Sequence, residues 1–456
     1  MTARGGFWTL DAVAAALAEE LTGARPRGTA ALRAIATDSR ALATGDCFVA
    51  LAGDRFDGHD FLPIAVAEGA AALVVHHPGR AAGLGVPVYA VRDTLAALGA
   101  LARFRRRAWG GPVIGIGGSN GKTTTKELLA AALGARLETH ATTGNLNNLV
   151  GVPLTLLALP DHSDIAVVEM GLSVPGEMAR LREIAAPDVA VVTSVAEEHL
   201  EGLGSLAGVM REESAIFEGA SLAITPASQP EIAAAAKGRV RRVVQAGLDA
   251  GDVRPARWSL AADGLGTIEM DGVTVRPPAR GEHNLRNAML AIAAARECGI
   301  AMEDIARGMA QAVIPKMRLA WEGLGAATLI NDAYNASPAS MRAALDLLAG
   351  SGGGRQRVAI LGGMRELGAD SARLHDEVAR YALAAPIEVV AGIGDLGAAL
   401  RDAGKGDARV VTGADVDDLW PALKSRLRPD AVILLKASRG VQLERLVPHL
   451  TVWSTR

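Results

Sequence analysis

The chain has 456 residues, 50% of them hydrophobic and 21% charged, with 47 basic against 50 acidic residues and a formal net charge of −3. A single core stops growing at roughly 250–300 residues, so several domains are expected, and the near balance of charge argues against a nucleic-acid surface. Two cysteines, Cys47 and Cys298, exclude a disulfide framework and suit a reducing cytoplasm.

The opening MTARGGFWTLDAVAAAL carries Asp11 in a short apolar stretch, and no uncharged apolar run of membrane length follows, so neither an export signal nor a membrane span is expected. The first hundred residues read as short βα pieces, ATDSRALATGDCFVAL and AALVVHH among them, leading to a helix over Thr94–Arg107. Its arginine cluster, Arg103 to Arg107, reads as a solvated helix end with no role in a site.

Beyond residue 109 the runs GPVIGIGG, DIAVVEMG, DVAVVTSV, ASLAITPA, RVAILGGM, IEVVAGIG, ARVVTGA and AVILLKAS are short and apolar, mostly separated by helix-like segments. That pattern predicts buried parallel strands in an α/β fold. Alternation near residues 258–279 with an Asp271-Gly272 turn predicts an antiparallel hairpin on the central sheet. A long alanine-rich helix over Asn287–Ala312 gives way at Val313-Ile-Pro-Lys to a new strand, ATLINDAY. Three domains follow, at 1–108, 109–314 and 315–456.

The strand of GPVIGIGG runs straight into Gly117-Gly-Ser-Asn-Gly-Lys-Thr-Thr and a helix-like KELLAAAL. Strand, glycine loop, Lys-Thr and helix are the context of a nucleotide-phosphate loop. Gly118, Ser119, Asn120 and Gly121 let backbone N–H groups turn toward phosphate oxygens, Lys122 supplies a mobile cation, and Thr123 and Thr124 open the helix, with the Thr123 hydroxyl able to reach Mg²⁺. The strict pattern wants a glycine where Ile116 stands, so the loop is a one-residue variant.

Glu169 ends the strand of DIAVVEMG, and His199 follows that of DVAVVTSV, which puts both at the carboxyl edge where the loop must sit. Both are candidate metal ligands; hard oxygens suit Mg²⁺ better than imidazole does.

Taken together, GGSNGKTTTK, TTGNLNNLVGVPLTLL, VVEMGLSVPGEM and AEEHLEGLGS resemble the central domain of the Mur ligase family, in order and with family-like spacing. TDSRALATGDCFVALAGDRFDGHDF is similar to the family's UDP-binding first domain, and GEHNLRNAMLAIAAA, LINDAYNASPASM and LLKASRG to its nucleotide-closing elements and third domain. The resemblance spans the chain. It implies a central P-loop ATPase-like sheet, a Rossmann-like third domain, and an ATP- and Mg²⁺-dependent ligase that makes a peptide bond through an acyl phosphate in peptidoglycan precursor synthesis. NDAYNASP is similar to the segment of members that add D-alanyl-D-alanine to UDP-N-acetylmuramoyl-tripeptide, and a DNPR-type segment of the diaminopimelate- or lysine-adding members is missing.

The resemblance implies roles residue by residue. Asn287 would contact adenine, Arg318 would reach toward the nucleotide, and Asp332 with Asn335 would hold the ribose side. Ser39, Arg40, Asp57, Gly58 and His59 would hold the UDP part; Asn145, Asn147 and Asn148 the sugar–peptide; Lys436 and Ser438, beside Arg439, the acceptor side. Catalysis would rest on Lys122, Glu169, His199 and Glu213, and the metal on Thr123, Glu169, His199 and Glu213. It also implies a monomer whose domains close on substrates. As bare residues, His283 and Asn284 read equally as a helix cap and its flank.

Three positions depart from the family pattern. Where members carry a lysine that CO₂ carbamylates, this chain has Glu213, or Glu212 if the register slips by one; Gly117 stands for a usual threonine, and Gly363 for a frequent aspartate. The expectation is that a glutamate substitutes for the carbamate. Other carboxylate–amine ligases of the same architecture, and a phosphate-loop protein that switches binding without ligation, are the rival readings.

Overall fold

The computed structural model describes residues 6–53, 56–351 and 353–455, so Asp54 and Arg55 of the TDSR-containing segment lie outside it. Each of the apolar runs forms a strand, because β-branched and leucine side chains on both faces are covered by helices. The chain divides into two compact units: Met1–Val113, His140–Met170 and Arg180–Ala186 form one, and Ile114–Thr139, Gly171–Ala179 and Pro187–Arg456 the other.

The smaller unit holds a four-stranded parallel sheet in the order Ile35–Ala36, Cys47–Val49, Ala72–Val75, Val88–Ala90. Strand alternation splits its core in two. Cys47, Val49 and Val74 pack with Ala97, Leu98 and Leu101 of the helix Thr94–Trp109, whereas Phe48, Leu73 and Val75 pack with Leu62 and Ala65. Asp93 caps that helix through the N–H groups of Leu95 and Ala96, and Gly110 ends it at φ 73°.

The arginine cluster differs from expectation. Arg105 and Arg106 are buried, and Arg105 donates to the Leu159 carbonyl at 2.6 Å and to Asp161 at 2.5 Å while lying over Phe7. Arg106 donates to the carbonyls of Ala185 and Ala186 at 2.9 and 3.1 Å. Loop ends leave carbonyls without ladder partners, and a long guanidinium arm can reach them from a helix.

In the larger unit, Arg242–Ala246, Leu222–Pro226, Val189–Val192 and Val113–Gly117 pair in parallel in that order. A second sheet runs Ala320–Leu324, Ala327–Asp332, Val432–Lys436, Arg357–Leu361, Val389–Ile393, Val410–Gly413, parallel except for its first, antiparallel edge strand. Register sets Asp332 directly beside Lys436 at the carboxyl ends.

The structure corrects two sequence expectations. The hairpin forms, turning at Asp271 and Gly272 with positive φ at both, but it belongs to a separate three-stranded sheet of Arg257–Leu260, Gly266–Met270 and Val273–Val275. It lies face-on against a helix: a Cβ at Gly266 would meet the Leu285 side chain at 2.2 Å. The alanine-rich helix is two helices, Glu282–Glu297 and Met302–Met309, separated where Gly299 takes φ 78°. The first begins at Glu282 after the N-cap Gly281, so His283 and Asn284 sit inside its first turn rather than capping it.

Candidate active site

Val113–Gly117 is wholly buried, and the helix Lys122–Gly134 begins after a loop of only four residues, 118–121, so that loop has little freedom. Gly118 (φ 115°) and Gly121 (φ 89°) adopt backbone that side chains disfavour, and a Cβ at Gly121 would lie 2.3 Å from Asn287 Oδ1. Neighbouring hydroxyls pin the loop. Thr193 Oγ1 donates to the Asn120 carbonyl at 2.6 Å, the Asn120 N–H donates to Ser194 Oγ at 3.0 Å, and Ser337 Oγ donates to Asn120 Oδ1 at 3.0 Å. Sequence reasoning missed all three hydroxyls; the position of Thr193 and Ser194 just past the strand of DVAVVTSV was the available signal.

Lys122 Nζ donates to the carbonyls of Gly118 and Ser119, at 2.5 and 3.3 Å, so the loop's own oxygens hold the ammonium where phosphate oxygens would compete for it. Thr123 and Thr124 are buried in the helix's first turn.

Glu213 and Glu212 separate cleanly. Glu212 Oε1 accepts the Met178 N–H at 3.0 Å, serving the start of the helix Glu177–Ala185. Glu213 is 1% exposed, and its Oε2 accepts the Gly118 N–H at 2.7 Å while Oε1 has no partner. Burial pushes its carboxyl up to about 7, against the opposing pull of Lys122 and the Gly118 N–H. A Cβ at Gly117 would stand 2.8 Å from Glu213 Oε2, so the glycine that replaces threonine makes room for this carboxylate. At Gly363, the third departure, a Cβ would find His375 Nε2 as its nearest neighbour at 3.7 Å, which is ordinary contact.

His199 takes the left-handed φ of 51° and hydrogen-bonds Glu366 through Nδ1. Burial lowers its pKa, and Glu366 opposes that. Asn287 Nδ2 donates to Asn284 Oδ1 at 3.0 Å. Lys436 Nζ gathers Asp332 Oδ2 at 2.5 Å and the Asn335 carbonyl at 3.1 Å, and Arg318 lies 4.4 Å over the Tyr334 ring. Ser438 Oγ accepts the Arg365 N–H at 3.0 Å. A cavity of about 500 Å³ opens beside His283, Glu282, Arg286 and Asp346.

The smaller unit carries the remaining candidates. Glu169 is buried at its strand's end, and its Oε1 accepts from Asn147 Nδ2 at 2.8 Å. Asn148 Oδ1 accepts the N–H groups of Val150 and Gly151, which starts the helix Gly151–Leu157, and the Asn145 carbonyl accepts the Asn147 N–H. TDSR forms a 3-10 turn over Ser39–Ala41 in which Arg40 forks onto Asp38 at 2.9 and 2.7 Å, holding that carboxyl at about 2. Asp57 accepts from His59 Nδ1 at 2.6 Å and Arg80 at 2.8 Å, and a Cβ at Gly58 would strike the Leu51 carbonyl at 2.8 Å. Among the described residues, no group of three or more His, Cys, Asp or Glu is placed to hold a metal unaided.

Three family models match the chain in succession: the Mur ligase family catalytic domain over residues 32–106, the Mur ligase middle domain over 116–295, and the Mur ligase glutamate ligase domain over 317–439. The UDP-N-acetylmuramoyl-tripeptide–D-alanyl-D-alanine ligase of Bacillus subtilis is 37% identical over 92% of this chain and 93% of its own. The chain belongs to the Mur ligase family. The enzyme of the same name from Escherichia coli is 36% identical, covering 92% of this chain and 94% of its own. Among solved Mur ligases, crystal structure I of MurF from Acinetobacter baumannii superposes with a TM-score of 0.89 at 32% identity, covering 98% of this chain and 99% of its own. MurF ligase from Thermotoga maritima, solved in complex with ADP, gives 0.82 at 27%, covering 93% and 98%. The α/β Mur ligase architecture read from the motifs is thus the fold observed.

Proposed function

We propose that this chain joins D-alanyl-D-alanine to the peptide carboxylate of UDP-N-acetylmuramoyl-tripeptide, using ATP with Mg²⁺. The carrying observation is the loop itself: Lys122 and the inward-facing glycines at a helix start, with a buried carboxylate of Glu213 on its floor. Full-length similarity to relatives bearing that enzyme name supports the choice of substrates.

The tripeptide carboxylate oxygen attacks the γ-phosphorus and the bond to the β–γ bridging oxygen breaks, releasing ADP and leaving an acyl phosphate. The dipeptide amine then adds to the acyl carbon, its proton passes to solvent, and phosphate departs. Both reactants are anionic, so charge neutralisation and alignment carry the rate. Lys122, freed from the loop carbonyls, moves onto the phosphates. The Thr123 hydroxyl and the unpartnered Glu213 Oε1 are hard oxygen donors that suit Mg²⁺, which when bound offsets phosphate charge. Glu169 and His199 are assigned as ligands on the family resemblance alone, since no three such groups among the described residues are placed around one ion.

Asn287, Arg318, Asp332 and Asn335 take the nucleoside; Ser39, Arg40, Asp57, Gly58 and His59 the UDP part; Asn145, Asn147 and Asn148 the sugar–peptide; Lys436 and Ser438 the acceptor. The three matched segments support a division near 1–108, 109–314 and 315–456. No helix among the described residues is long and apolar enough to cross a membrane, and we place the enzyme in the cytoplasm as a monomer. Phosphate release by the purified protein should require ATP, UDP-N-acetylmuramoyl-tripeptide and D-alanyl-D-alanine together, with UDP-pentapeptide as product. Nucleotide binding without that turnover would support a switch instead.

A further inference from the structure

Asn120 lies within the phosphate loop, and its backbone is already committed. Its N–H donates to Ser194 Oγ at 3.0 Å, and its carbonyl accepts from Thr193 Oγ1 at 2.6 Å and from Ser194 Oγ at 3.1 Å. Its side chain is held by Ser337, 217 residues away in sequence, whose Oγ donates to Asn120 Oδ1 at 3.0 Å. Asn120 Nδ2 is sealed from solvent and has no hydrogen-bond partner among the described residues. What Asn120 has left to offer a ligand is thus its side-chain amide, not the backbone N–H to which the glycine-loop pattern points.

Ser337 decides which end of that amide is free. It caps the helix Pro338–Gly350 by accepting the Ser340 N–H at 3.4 Å, so its hydroxyl proton is what remains to be given. Of the two acceptors in reach, Asn120 Oδ1 at 3.0 Å is nearer than Ser340 Oγ at 3.2 Å. A carboxamide accepts at one end and donates at the other, so occupying Oδ1 leaves Nδ2 as the open donor. A buried donor without an acceptor is costly, and it bonds strongly to an anion that reaches it away from water. The loop runs directly into Lys122, a second donor, and an anion with several oxygens satisfies both.

We propose that Asn120 Nδ2 donates to a phosphate oxygen of the bound nucleotide, and that Ser337 is the positioning residue that fixes this amide. The inference rests on the loop taking a nucleotide phosphate, the reading given under Proposed function. Ser337 then acts on nucleotide only through Asn120, and ties the start of the helix Pro338–Gly350 to the loop.

Calorimetric titration of ADP with Mg²⁺ into the full chain tests both halves. Asn120→Asp keeps an oxygen for Ser337 and loses the donor, and ADP affinity should fall about 10-fold or more, the order expected when a hydrogen bond to a charged group is lost. Asn120→Ala, which buries no new charge, should lose about as much. Ser337→Gly removes the hydroxyl at little cost to the helix cap and should weaken ADP about 5-fold, whereas Ser337→Thr, which keeps the donor, should stay within about 2-fold of the wild type. In an Asn120→Ala background, Ser337→Gly should change affinity less than about 2-fold, because its route to the phosphate is gone. Unchanged ADP affinity in Asn120→Ala overturns the phosphate contact. An equal loss from Ser337→Gly in both backgrounds marks a purely structural cap and overturns the positioning role, as does unchanged affinity in Ser337→Gly alone. Absence of ADP binding by the wild type overturns the loop reading itself, and this inference with it.

Discussion

His199 and Glu366 lie 167 residues apart, both hold left-handed backbone, and they share a hydrogen bond between Nδ1 and the carboxylate. Two strained non-glycine residues at one contact mean that surrounding structure enforces the pairing. The Glu201 N–H also donates to the Glu366 carbonyl at 3.1 Å, so the loop after DVAVVTSV and the loop after RVAILGGM are tied twice. Glu366→Ala should lower kcat/KM by about 10-fold or more, because the imidazole loses the carboxylate that orients it. His199→Ala should cost more than Glu366→Ala; equal effects in steady-state kinetics would show that the ring serves only the tie.

Gly117 and Glu213 form a steric pair. Gly117→Ala places a methyl 2.8 Å from Glu213 Oε2, and overpacking of this kind costs about 1–3 kcal/mol. Glu213→Ala removes the clash, so the double variant should be more stable than the sum of single effects predicts, as read by a denaturation cycle. Additivity would show that the loop simply moves aside. Glu213→Ala should also lose activity at every Mg²⁺ concentration; full kcat with unchanged Mg²⁺ dependence would remove it from the machinery.

Arg105 and Arg106 should behave as core residues. Each satisfies buried carbonyl oxygens, and leaving such acceptors unpaired costs about 1–3 kcal/mol. Arg105→Ala and Arg106→Ala should each lower the urea midpoint by a corresponding amount, whereas Arg107→Ala, an exposed position, should leave it unchanged.

His283 predicts an acid-side loss of stability. Desolvation lowers its pKa from 6.5 to about 4, outweighing the attraction of Asp332. The unfolded chain thus binds a proton that the folded one refuses between those values, so stability is fully present above 6.5 and lost as pH falls toward 4. The contribution is on the order of 3 kcal/mol. Thermal scans across that range should show a shallower fall for His283→Gln than for the wild type; parallel curves would refute the assignment.

The sequence by itself determined the strands, the phosphate loop and the family, since those depend on local patterns: an apolar run, a glycine that must turn, a lysine at a helix start. Gly117-Gly-Ser-Asn-Gly-Lys-Thr is legible because its chemistry is contiguous. Tertiary structure decided what burial and long-range contact decide. It gave Glu212 to a helix cap and Glu213 to the loop floor, because one residue along a helix turns a side chain by roughly 100°. It split the alanine-rich helix at Gly299 and buried two arginines of a charged run. In each case the sequence names a charge or a turn, and only packing fixes what that group must face.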